Sequence, residues 1–168
     1  MEHIPQKNKN GKRLSVCFLI FASVGLIAAT LLDIQYRLFY QMIAVMAYVV
    51  SFEILNRYYF STYSYCVEEK DFIIRKTTGK RTQMVCNLSL STMIAIEKNP
   101  KTKQEKRELE KKYGKITIHY NYCQSFFPKT SYVILFEFNG QIAQIAFEPN
   151  EEMVLYLNAI LHTTNEFE

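Results

Sequence analysis

A chain of 168 residues with a formal net charge of +4 carries twelve Tyr and twelve Phe, no Trp, and only five Gly and four Pro. Aromatic wealth with few breakers excludes a disordered tail. Four scattered cysteines, Cys17, Cys66, Cys86 and Cys123, form no C-x-x-C pair; in a reducing compartment they are expected as free thiols packed like small apolar groups.

Met1–Arg13 is polar and basic, with Lys7, Lys9, Lys12 and Arg13, and reads as a flexible cytoplasmic tail and topology signal. Two apolar runs follow, Leu14–Leu32 and Leu38–Leu55, parted only by Asp33-Ile34-Gln35-Tyr36-Arg37. The first has no charge, and its polar side chains are Ser15, Ser23 and Thr30, hydroxyls that can bond back to their own helix. As a helix it spans roughly 28 Å, the thickness of a hydrocarbon core. In the second, Gln41 and Glu53 lie one turn from either end, and Tyr36, Tyr40, Tyr58 and Tyr59 occupy interfacial positions. The two runs predict an antiparallel transmembrane hairpin over 14–57. A soluble amphipathic hairpin would show a polar stripe, and the first run has none. A cleaved signal peptide would have a shorter apolar core and no second span directly behind it. Gly25 with Ala29, and Ala47 with Ser51, put small residues four apart on each helix, where backbones can approach closely. The basic residues before the first span, and Arg57 after the second, predict both termini in the cytoplasm of a cell (inner) membrane.

The roughly 110 residues that remain suffice for one small domain, taken as 62–168. Tyr63, Tyr65 and Val67 share one strand face, Glu68–Asp71 forms a turn, and Phe72–Arg75 a strand. Lys76–Lys80 is a hairpin turn, after which Met84, Cys86 and Leu88 alternate, then Ile94 and Ile96. Short strands joined by tight turns predict an antiparallel meander. Lys98–Lys115, bracketed by Pro100 and Gly114, is a basic excursion in which Glu105–Tyr113 suits a short exposed helix lacking an apolar face. Strands resume with Ile116, Ile118, Tyr120 and Tyr122 on one face. A loop around Pro128 leads to Tyr132–Phe138, with Ile134, Phe136 and Phe138 on one face. Asn139-Gly140 is the strongest two-residue hairpin signal, and Ala143, Ile145 and Phe147 follow it. Asn150 is a good N-cap for a final helix, with Glu151 and Glu152 in its first turn and Met153, Leu157, Ile160 and Leu161 at helical spacing.

The stretches YSYCVEEKDFIIRKTTGKR (Tyr63–Arg81), Leu88–Glu97 and FEPNEEMVLYL (Phe147–Leu157), behind two spans, give a chain that resembles the bacterial pleckstrin-homology-like (PH-like) membrane proteins. The resemblance implies an α+β fold: a transmembrane helical hairpin, then a PH-like antiparallel barrel of about seven strands closed by a C-terminal helix. It also implies an assembly or adaptor role, a domain that binds a protein partner or a second copy of itself. In PH domains the hairpin tip occupied here by Lys76, Lys80 and Arg81 holds phosphate groups. Those three, with Lys103, Lys106 and Arg107 from the basic excursion, are the candidate contacts to anionic lipid headgroups; the plain alternative is a solvated charged surface. Gly25, Ala29, Ala47 and Ser51 are the candidate transmembrane packing residues. They also support a second reading, an accessory subunit of a membrane enzyme or transporter that associates through the hairpin.

No phosphate-binding glycine loop, G-x-S-x-G or H-E-x-x-H occurs, and the expectation is a non-enzyme with no cofactor or metal. His119 and Cys123 supply two ligands where zinc needs three or four. Cys123 as a nucleophile, with His119 as its base, is the enzyme alternative. Asn87-Leu88-Ser89 matches a glycosylation sequon that faces the cytoplasm in this topology. The aromatics alternate as core residues and not as a stacking platform, which argues against nucleic acid.

Overall fold

The computed structural model describes residues 1–5, 9–31, 37–126 and 128–165. Asp33–Tyr36 of the expected connection, Lys7 and the side chain of His162 lie outside them. The described chain forms two compact units, Gln6–Thr62 and, together, Met1–Pro5 and Tyr63–Glu168.

The first unit is a pair of helices, α1 (Lys9–Leu31) and α2 (Arg37–Leu55), the second running into a π-helical turn, Asn56–Phe60. Stretches Gly11–Leu31 and Arg37–Phe60 are each long and apolar enough to cross a membrane. The hydroxyls behave as the sequence requires: Ser15 donates to the Lys12 carbonyl (2.7 Å), Ser23 to Leu19 (2.9 Å), Thr30 to Ile27 (2.7 Å) and Ser51 to Ala47 (2.6 Å). Arg37 donates to the Thr30 carbonyl at 2.5 Å, covering an orphan acceptor at the end of α1. The helices pack through small residues seven apart: Ser15, Ala22 and Ala29 on α1, Ala44 and Ser51 on α2 are all buried. A period of seven keeps one stripe facing the partner helix. Next to this seam, Tyr58 is buried against Gly11, where any Cβ would overlap its ring. The rest of both helices is apolar and exposed; Phe21, Leu31, Leu38 and Met42 are each more than two-thirds bare.

The second unit holds two four-stranded sheets and two helices among the described residues. Sheet 1 has the order β1-β2-β3-β4: β1 (Glu2–His3), β2 (Ser61–Glu68), β3 (Asp71–Thr78) and β4 (Arg81–Ser89). Met1–Arg13, expected as a flexible tail, thus supplies an edge strand and the first turns of α1. β1 pairs antiparallel with β2, His3 opposite Tyr65. In the β3–β4 ladder Ile74 faces Cys86 and Arg75 faces Met84, so Val85 is an extra, bulged residue.

Sheet 2 has the order β5-β7-β8-β6: β5 (Met93–Lys98), β6 (Ile116–Asn121), β7 (Tyr132–Phe138) and β8 (Gln141–Phe147). β5 and β8 both run antiparallel to β7, while β6 runs parallel to β8. The antiparallel meander expected up to Glu97 holds for β2-β3-β4, but β5 leaves that sheet to pair with β7, and the Lys98–Lys115 excursion is a crossover within sheet 2. It carries α3 (Lys103–Tyr113), and β5 and β6 end up parallel at opposite edges of the sheet, with the β7–β8 hairpin between them. A parallel relation needs such a helical connection. α3 is not unsupported: Thr102 and Glu105 form a capping box, and Leu109 is buried with Ala95, Ile116, Val133, Leu135 and Ala146. Sheet 2 is therefore covered on both faces. Its inner face, with Ile134, Phe136, Ala143, Ile145 and Phe147, joins Tyr63, Tyr65, Val67, Phe72 and Ile74 of sheet 1 in the main core. Rings organise that core: Phe147 meets Tyr65 and Phe72 edge-on, with centroids 5.4 and 5.3 Å apart.

Three single-face expectations are corrected by this arrangement. Ile116 lies under α3 and Ile118 against the main core, because the register slips between them. Ile94 is exposed at a similar slip between Met93 and Ala95. Phe138 is exposed beyond the core. The Asn139-Gly140 turn is as expected, with φ of 53° and 71°. α4 (Glu151–Asn165) is capped by Asn150, whose Oδ1 accepts from the Met153 N–H (3.0 Å), and it buries Met153, Leu157 and Leu161 in the main core. The domain is α+β as expected, but it has eight strands rather than seven, and its two sheets do not close into a barrel.

The helix seam yields a contrast. Alanine in a helix interior is favoured over glycine by about 1 kcal/mol. Gly25→Ala adds a Cβ that meets nothing and is expected to leave thermal unfolding unchanged or raised, followed by circular dichroism in detergent. Gly11→Ala collides with the Tyr58 ring and is expected to lower stability by about 1–3 kcal/mol, as overpacking does.

Candidate functional site

The two basic groups named from the sequence belong to different parts of the domain. Lys76, Lys80 and Arg81 surround the β3–β4 turn; Lys80 and Arg81 are exposed, and Lys76 Nζ lies over the Tyr63 ring, 5.9 Å from its centroid. Tyr63 is the first residue of this unit after the helices, so the basic tip sits at the end of sheet 1 where the chain enters it. No acidic residue occurs from Phe72 to Ile96. The nearest cation inside the strand, Arg75, is held by Glu68 at 2.5 Å, which lowers the Glu68 carboxyl below the usual range.

Lys103, Lys106 and Arg107 are exposed on α3, which covers the outer face of sheet 2. Other cations of this cluster have structural tasks. Lys101 donates to the Lys129 carbonyl (2.9 Å). Lys112 donates to Glu97 Oε1 (2.7 Å), which also accepts from the Tyr113 hydroxyl (2.6 Å). The Lys112 ammonium first, and the Tyr113 hydroxyl second, hold the Glu97 carboxyl below the usual glutamate range, and Lys112 is pushed up in return. Between α3 and the end of β5 lies a groove of about 470 Å³ lined by Glu97, Lys98, Pro100, Lys101, Glu105, Leu109 and Lys112.

Of the candidate packing residues, Ala29 and Ser51 are buried in the helix seam, whereas Gly25 and Ala47 are exposed. Those two line an apolar groove of about 270 Å³ with Phe21, Tyr40 and Ile43. Cys123 is buried beneath α3, while His119 is exposed on β6. All four cysteines are free thiols; Cys17 is exposed, and burial pushes the Cys66 and Cys86 thiols up. No three His, Cys, Asp or Glu side chains converge as metal ligands among the described residues.

Two features are illegible in the sequence. One is a buried polar network. The Tyr65 hydroxyl donates to the Tyr122 carbonyl (2.9 Å) and accepts from the Glu148 N–H (3.2 Å). Glu148 Oε1 accepts from the Ser125 N–H (2.7 Å), and Gln124 Oε1 from the Tyr63 N–H (3.0 Å). Burial drives the Tyr65 hydroxyl far up, so it stays a neutral donor. The other is a cleft of about 440 Å³ where the sheets fail to meet, lined by Val85–Ser89 of β4, Tyr120, Tyr122, Phe136–Phe138 and Ile145. One bond spans it: the Tyr122 hydroxyl donates to the Val85 carbonyl (3.2 Å). Tyr120 stacks on Tyr122, with centroids 6.2 Å apart and rings 8° from parallel. Alternation marked the linings as strand residues, but nothing local said which strand edges would stay apart.

The architecture is thus an α+β chain with two long apolar helices and a two-sheet domain. Comparison with protein-family models and with curated proteins finds no match to this chain.

Two measurements test the site's construction. Tyr65→Phe removes both hydroxyl bonds and leaves a buried carbonyl and N–H without them; the expected loss is about 1–3 kcal/mol in denaturant unfolding of the detergent-solubilised chain. The Glu97 carboxyl is lowered on folding, so its contribution is complete above the unfolded value of about 4.3 and lost as pH falls through the folded one. The protection factor of Lys103–Tyr113, taken relative to intrinsic exchange at each pH, is expected to fall as pH drops below that range, and Glu97→Gln to flatten the dependence.

Proposed function

We propose that this protein is a non-enzymatic adaptor of a cell membrane, in which the helical hairpin anchors a PH-like domain that binds a protein partner or a second copy of itself. The observation that carries the proposal is the bare apolar surface of α1 and α2, on helices long enough to cross a bilayer. Lipid is the solvent that such a surface fits. Lys7, Lys9, Lys12 and Arg13 ahead of the first apolar run, and Arg57 after the second, favour both termini in the cytoplasm. The basic tip, Lys76, Lys80 and Arg81, supports headgroup contact, since it lies at the end of the domain from which the chain leads to the helices. Each cation near an anionic surface adds about 1 kcal/mol of attraction. Lys103, Lys106 and Arg107 are free to add to it from α3. Two sheets with a helix packed into their core, open on one side, suit binding more than chemistry, although fold alone assigns no function.

A second reading has its own observation. The exposed Gly25 and Ala47 open an apolar groove on the helical pair, which supports an accessory subunit that seats a helix of a larger membrane protein there.

Alkaline carbonate should leave the full chain in the membrane pellet; its release would remove the anchor. In nanodiscs, hydrogen exchange of Thr77–Thr82 should slow when anionic lipid is added, and the triple Lys76→Glu, Lys80→Glu, Arg81→Glu variant should lose that response. Purified full chain that turned over a substrate would end the adaptor reading. Gly25→Leu with Ala47→Leu separates the two readings: partner crosslinking in intact membranes persists if the domain binds and is lost if the hairpin does.

A further inference from the structure

Resting on the adaptor reading, we propose that the partner docks as an added β-strand in the cleft between β4 and β6, and that this strand is an extended peptide, apolar at alternate positions, acidic at one end and basic at the other. β4 is the last strand of sheet 1 and β6 the last of sheet 2. An edge strand presents a row of backbone donors and acceptors on its open side, which proteins normally blunt with charge or proline. Beyond Arg81, β4 carries neither, and Met84 is 60% exposed; the bulge at Val85, whose carbonyl accepts from the Tyr122 hydroxyl, interrupts the row, so a docking strand must displace that bond. The cleft between the two edges is walled by Val85, Leu88, Tyr120, Phe136 and Phe138. Main-chain edges select an extended backbone, and an apolar floor selects alternate apolar side chains.

Charge sets the direction of the strand. The Tyr122 hydroxyl ties that end of the cleft to Val85, and from there β4 runs back four residues, about 13 Å, to Arg81, beyond the cleft lining. β4 then leads through Leu90 to Met93, which faces Phe136 in the ladder, so the other end carries Glu137 and Phe138. One end is cationic and the other anionic. A docked strand gains by placing Asp or Glu beside Arg81 and Lys or Arg beside Glu137.

The test selects random dodecapeptides displayed on phage against the full chain in phosphatidylcholine nanodiscs. Enriched peptides are expected to alternate apolar residues between an acidic and a basic end. As synthetic peptides they should slow hydrogen exchange of Thr82–Ser89 and of Ile118–Asn121. Arg81→Glu, at an exposed position, should weaken the acidic-ended peptides about tenfold and restore binding when their acids are exchanged for lysines. Tyr120→Ser should weaken all of them. The proposal is overturned if no peptide is enriched, if the enriched ones protect another surface, if Arg81→Glu is without effect, or if anionic vesicles lacking protein displace them fully, which would make the cleft a headgroup surface. Crosslinking to a partner that survives Tyr120→Ser would also overturn the cleft and leave the adaptor reading standing, whereas the absence of any protein partner would sink both.

Discussion

β7 is buried on both faces, and the rest of the domain follows from that. Ile134 and Phe136 point into the main core, while Val133 and Leu135 point the other way. A strand of that kind needs a cover on each side. Sheet 1 and α4 supply one. α3 supplies the other, and to do so the chain must leave β5, cross the outer face of the sheet and return as β6. The return places β6 on the far edge, parallel to β8, and leaves it apart from β4. An unclosed barrel and a cleft are consequences of covering the outer face.

The helical pair obeys a different balance. Its internal seam is made of serine and alanine, with side chains too small to supply much packing by themselves. What they allow is close backbone approach, and the hydroxyls return their hydrogen bonds to the helix so that nothing polar is left bare. Most of the large apolar side chains turn outward. In water that surface would be a liability, whereas lipid would solvate it.

Charge is divided by task. Glu68 holds Arg75, and Glu97 holds Lys112, so those cations brace strands and a helix. Lys80, Arg81, Lys103, Lys106 and Arg107 remain exposed and face outward from two separate places. A net charge of +4 is therefore less informative than its distribution. The tip of sheet 1 is basic, with no acidic residue between Phe72 and Ile96.

Sequence by itself determined whatever depends on local periodicity: two long apolar helices, the hydroxyls that satisfy themselves, the Asn139-Gly140 turn, the Asn150 cap and the apolar stripe of α4. These are decided within a few turns of chain, by hydrogen-bond geometry and by which side chains repeat on one face. The candidate cations stand in the sequence as runs of charge; the structure puts Lys76 on β3, Arg81 on β4, Lys80 in the turn between them, and Lys103, Lys106 and Arg107 on α3. Only the tertiary structure decided the seam at Ser15, Ala22, Ala29, Ala44 and Ser51, since small residues abound on both helices and a partner selects which stripe is buried. It alone decided that Leu109, with the Lys112 and Tyr113 bonds to Glu97, holds α3 on the sheet, that single-residue slips turn Ile116 and Ile118 to opposite faces, and that β4 and β6 stay apart. Strand pairing joins residues distant in sequence, and a slip of one residue reverses every side chain after it, so no local pattern contains that choice.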